Sequence, residues 1–126
     1  MIDYRRLTVW QQAHAFSIEV YRITRLFPSE ERFALAIQLR RASISIESTL
    51  AEGSARAGDR AFASFVEIAA GSAAEAECQL RLANDLGFIE PGADDALAES
   101  IRAIRAMLGA LRARLRTTTG EGLGAQ

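Results

Sequence analysis

The sequence predicts an all-α protein, an antiparallel up-down-up-down four-helix bundle that forms an oligomer. Three observations carry this expectation. Apolar residues recur at three- and four-residue steps along most of the chain, the spacing of one helix face. The two prolines, Pro28 and Pro91, fall at breaks in that pattern. Alternation of apolar and polar residues over strand length is nearly absent. Periodic segments of roughly 20 residues with short connections pack as antiparallel neighbours.

Helix one is expected over about residues 8–26, with Val9, Ala13, Phe16, Val20, Ile23 and Phe27 on its inner stripe. Pro28 ends it. Ser29 is the expected cap of helix two, residues 30–52, with Glu30 and Glu31 where the helix dipole favours acids. Gly53 reads as its C-terminal stop. After the loop of residues 53–58, Asp59 opens helix three, residues 59–86. Its inner stripe is Phe62, Phe65, Val66, Ala69, Ala73, Ala76, Leu80 and Ala83, and the alanines admit a close neighbour. Residues 87–93 form a turn. Asp94 or Asp95 caps helix four, residues 94–116, built on Leu97, Ile101, Ile104, Leu108, Leu111 and Leu115. One bundle domain thus covers residues 1–116. Residues 117–126, with three glycines and no apolar run, are expected to form a flexible C-terminal tail.

Composition narrows the function classes. The 126 residues are 49% apolar and 25% charged, enough for one globular domain. No apolar run is long enough to span a membrane, and the N-terminus does not read as a signal peptide, so a cytoplasmic location is expected. A single cysteine, Cys78, and a single histidine, His14, provide neither an internal disulfide nor a soft-ligand cluster. No metal, cofactor or small-molecule substrate is expected. A net charge of −1 does not recommend a polyanion, but the charge is unevenly spread: residues 59–93 balance at −4 and residues 97–116 at +4. All fifteen basic residues are arginine, which reads first as genomic base composition.

Helices one and two carry more apolar surface than one bundle core can cover. On helix two, Leu35, Leu39, Ala42, Ile46 and Leu50 share one side, while Phe33, Ile37 and Ile44 lie nearly opposite with Arg40 among them. On helix one, Leu7, Trp10, His14, Ile18 and Tyr21 share a second face. A subunit interface is the simplest account, and Arg40 falls within it with Arg41 at its edge. A buried arginine needs a carboxylate or carbonyls. Glu47, Glu52 or acids of helix three in a neighbouring copy are candidates. Phosphate binding and a solvated face are the other readings of the arginine pair. Helix three, with one strong stripe and an acidic remainder, is expected to face water.

Taken together, Val9-Trp10, Phe27-Pro28, Glu31-Arg32-Phe33, Gln38-Leu39-Arg40-Arg41-Ala42, Ser45-Ile46, Ala51-Glu52-Gly53, Gly71-Ser72, Glu75, Glu77, Gln79-Leu80 and Leu86-Gly87 resemble, in order and spacing, a known family. It is the four-helix-bundle family of intervening sequences in bacterial 23S rRNA genes, and the likeness covers about residues 3 to 115. The resemblance implies a homopentamer of four-helix protomers and no established activity. A related branch, the accessory variability proteins of diversity-generating retroelements, is strongly basic and binds nucleic acid and a reverse transcriptase. This chain departs from it in net charge, and has Glu47, Thr49 and Ser54 where family members often carry Pro, Asn and an aromatic residue.

Catalytic chemistry is not expected. No sequence pattern gives His14 an orienting acid and a nucleophile, Cys78 reads as a structural thiol, and Glu75 and Glu77 point about 160° apart on a helix. The alternative function is nucleic-acid binding. Arg102, Arg105, Arg112 and Arg116 fall within an arc of roughly 80° on helix four, and Arg56 and Arg60 lie in and just after the loop before helix three. Such a surface would hold RNA or DNA phosphates in a salt-dependent way. A third reading is an adaptor whose acidic helix three docks a basic protein.

Overall fold

The computed structural model describes residues 2–124, with side chains as far as Thr117. Four α-helices form the protein: α1 (Thr8–Thr24), α2 (Leu35–Ser54), α3 (Asp59–Asp85) and α4 (Asp95–Gly124). Short 3-10 turns at Tyr4–Arg6 and Ser29–Glu31 precede the first two, and the described residues contain no strand.

The helix ends have local causes. In the last turn of α1, the Thr24 hydroxyl donates to the Val20 carbonyl at 2.7 Å. Pro28, with φ −52, then leads into the 3-10 turn instead of capping a helix through Ser29. The start of α2 is therefore later than expected. Ala34, at φ −122 and ψ −109, leaves the helical region, and the Glu31 carboxylate accepts the Leu35 N–H at 3.4 Å. Gly53 does not stop α2, which continues to Ser54. A side chain there would meet Phe65 Cβ at 2.5 Å, so α3 demands a glycine for packing. Gly58, at φ 88, makes the left-handed turn before α3. Beyond the expected end near Arg116, α4 runs on to Gly124. No proline follows Arg116, and the Thr117 hydroxyl bonds back to the Ala113 carbonyl at 2.8 Å. The last two residues of the expected tail lie outside the described residues.

The core follows the inner stripes. Val9, Ala13, Phe16 and Val20 of α1 meet Leu39, Ala42, Ile46 and Leu50 of α2, with Ala36 and Ser43 also buried. The six expected residues of α4 are all buried. Ala69, Ala73, Ala76 and Ala83 of α3 are completely covered. Side chains that small let α2 and α4 approach α3, giving up side-chain area for backbone proximity. Each fully buried leucine or isoleucine contributes about 1.5–3 kcal/mol. Three expected core residues, Ile23, Leu35 and Phe65, are only partly covered.

Polar pairs tie the helices across the seams: His14 with Glu47, Thr24 with Arg40, Ser45 with Ser72, Glu77 with Arg105, and Glu67 with Arg116. Among the described residues, no helix is long and apolar enough to cross a membrane.

Candidate functional site

The expected interface residues lie along the outer side of the α1–α2 seam. Their exposure divides them. Ile18, Tyr21, His14, Arg41 and Ile44 are exposed, and Phe33, just before α2, is 83% exposed. Leu7, Trp10, Ile37 and Arg40 are half-buried by their own chain. Leu7 and Trp10 rest against the core. The Trp10 ring takes Tyr4 on its edge at 4.9 Å and stacks with His14 at 4.8 Å. Beside it, Arg5 hydrogen-bonds Asp3 and holds that carboxyl below its usual range. Part of the second apolar face, at Leu7 and Trp10, is thus covered within the protomer. The remainder, Ile18, Tyr21 and Ile44, borders a shallow groove of about 560 Å³ along the seam.

Arg40 needs no carboxylate. Its Nε donates to Thr24 Oγ1 at 2.7 Å, and its guanidinium lies over the Tyr21 ring, 4.6 Å from the centroid. A ring face stabilises a cation, and the planar guanidinium suits both contacts. The two acids expected to serve it are engaged elsewhere: Glu47 accepts from His14 Nδ1 at 2.8 Å and Glu52 from Arg56 at 3.1 Å. His14 therefore does have an acid beside it, a pairing the sequence did not reveal. Arg41 has no side-chain partner among the described residues.

The arginines of the alternative reading are mostly neutralised. Arg105 pairs with Glu77, Arg116 with Glu67, and Arg112 lies 3.6 Å from the same Glu67 carboxylate. Arg102 is exposed in a groove between α3 and α4 that also holds Asp85 and Asp94. Arg56 lies over the Phe65 ring, and Arg60 is exposed. Phe65 and Glu67 point about 160° apart on a helix. Arg56 and the α4 arginines therefore sit on opposite flanks of α3, so the two groups do not form one surface.

The chain matches the 23S rRNA-intervening sequence protein family over residues 5–110. It belongs to that family. The fold of this intervening-sequence protein is similar to the crystal structure of a protein of unknown function from the S23 ribosomal protein family of Bacteroides thetaiotaomicron. The TM-score is 0.77 at 19% identity, over 83% of this chain and 98% of that one. No curated protein matches.

Two features of the intervening-sequence protein escaped the sequence reading. The outer face of α3 is not simply acidic: Ile68, Leu82 and Leu86 are exposed along it, beside Glu75. The 14-residue spacing of Ile68 and Leu82, four helical turns, was the available signal. The second is a basic pocket where α1 gives way to α2, lined by Arg25, Arg32 and Arg40. The arginines flanking Phe27-Pro28 were its signal.

Proposed function

We propose that this 23S rRNA-intervening sequence protein is a non-enzymatic, cytoplasmic, self-assembling bundle whose copies join through the outer face of α1 and α2. The observation that carries the reading is the cluster of Ile18, Tyr21 and Ile44 on one groove, with Phe33 projecting beyond it. Exposed apolar clusters of this kind mark contact surfaces.

The protomer is read as antiparallel, up-down-up-down. Its support is the order of the cross-helix pairs: residues 14 and 24 meet 47 and 40, and residues 67 and 77 meet 116 and 105. A closed ring of one chain needs two complementary faces, because head-to-tail contacts repeat around the axis. The α1–α2 face offers apolar side chains with the unpaired Arg41, and α3 offers Ile68, Leu82 and Leu86 with Glu75. These faces complement each other in charge and in hydrophobicity. Five copies is the number the family resemblance implies.

The nucleic-acid reading is the weaker one, because three of its four candidate arginines on α4, Arg105, Arg112 and Arg116, already face carboxylates. Catalysis finds no support either: His14 is exposed, and no nucleophile hydrogen-bonds it among the described residues.

Sedimentation velocity tests the proposal. Ile18→Glu combined with Ile44→Glu introduces charge on exposed positions and leaves the core intact. The assembled species is expected to give way to single chains with helical circular dichroism retained. Unchanged sedimentation would reject the α1–α2 face.

A further inference from the structure

The pocket between the end of α1 and the start of α2 has a composition that assembly does not explain. It encloses about 320 Å³ and is lined by Arg25, Arg32 and Arg40 together with Thr24 and Ser29, over a floor of Phe27 and Ala36. No carboxylate lines it. Of the nearby acids, Glu31 accepts the Leu35 N–H, Glu19 pairs with Arg22, and Glu30 is exposed outside the pocket wall. Three arginines therefore line one pocket with no carboxylate in its wall, beside buried apolar side chains that weaken screening by water.

Arg40 is positioned in advance. The Thr24 hydroxyl occupies its Nε and the Tyr21 ring supports its plane, so the terminal nitrogens remain for a ligand. Arg25 and Arg32 are exposed at the rim and carry no side-chain partner among the described residues. Paired N–H donors of this kind match the oxygens of a phosphate group. Charge discriminates between ligands. A single carboxylate leaves a surplus of two positive charges, whereas a phosphate dianion leaves one. The volume lies at the small end of ligand pockets, roughly 300–1,000 Å³. We propose that this pocket binds a dianionic phosphate group, free or as the monoester of a small molecule, held by Arg25, Arg32 and Arg40.

The pocket adjoins the groove assigned to assembly, which Arg25 also lines, so calorimetry at low salt tests the proposal on the full chain with sedimentation of each variant measured alongside. Inorganic phosphate and a nucleoside 5′-monophosphate are the probes, with acetate as the carboxylate control. Saturable binding of either phosphate, at least roughly tenfold tighter than acetate, is expected. Equal affinities for the two mean that the phosphate alone is read. Tighter binding of the monophosphate means that the attached group also contacts the pocket. Arg25→Gln and Arg32→Gln should each weaken binding by about tenfold or more, while Arg6→Gln, exposed near the N-terminus, leaves it unchanged. Both pocket arginines are at the rim, so these variants keep the fold. As a second readout, phosphate should raise the melting temperature of the native chain and not of the double variant. Absence of saturable binding, binding unaffected by either substitution, or acetate binding equally well would overturn the proposal. Binding of a 5′-phosphorylated RNA but of neither small phosphate would overturn it too.

Discussion

An alanine at position 53 would place its Cβ 2.5 Å from Cβ of Phe65, a distance that real side chains do not tolerate. Gly53→Ala should therefore push α2 and α3 apart and lower stability by about 1–3 kcal/mol, despite alanine's better helix propensity. Urea unfolding checks this; a neutral or stabilising effect would mean the contact is looser than described. Gly53 also illustrates how one residue type can be read for the wrong reason. Its position near a helix end suggested a C-cap, whereas its requirement comes from a neighbour 12 residues further on. Arg40 gives a second residue-scale test. Its Nε–Oγ1 bond to Thr24 is partly buried, so Thr24→Val and Arg40→Met should be coupled by about 1 kcal/mol in a double-mutant cycle. Additive effects would show that the Tyr21 ring alone positions the guanidinium.

At the scale of elements, inner stripes were legible and rotations were not. The stripe of α4 was read in full because Leu97, Ile101, Ile104, Leu108, Leu111 and Leu115 repeat one face without interruption, and all are buried. Leu108→Ala should accordingly cost about 2–5 kcal/mol in unfolding free energy. A cost below about 1 kcal/mol would place it outside the core. The start of α2 lies later than the sequence suggests because Ser29, Glu30 and Glu31 form a strong cap pattern that the 3-10 turn after Pro28 uses up before the helix begins. Pairings across seams were beyond reach as well. Whether Glu47 meets His14 or Arg40 depends on how α1 and α2 are rotated about their axes, and periodicity fixes that only to within a residue's width. The same limit concealed the neutralisation of Arg105, Arg112 and Arg116 by α3. It also left Arg25, Arg32 and Arg40 as three scattered cations instead of one pocket.

For the whole molecule, the decisive feature is apolar surface left after the core has formed. Trp10 and Leu7 are partly covered by their own chain, so the excess is smaller than the sequence suggests. Ile18, Tyr21, Phe33 and Ile44 on one side, and Ile68, Leu82 and Leu86 on α3, remain exposed. Both sets should respond to substitution in the same assay. Ile68→Glu is expected to weaken association as Ile44→Glu does, because a ring uses both faces at each contact. If Ile44→Glu dissociates the assembly and Ile68→Glu leaves it intact, the contact is a two-fold one through α1 and α2 alone. The measurement closest to the central claim is the solution mass by light scattering across micromolar concentrations. The account predicts a stable multiple of the 13.7 kDa chain; a mass equal to one chain throughout would contradict it.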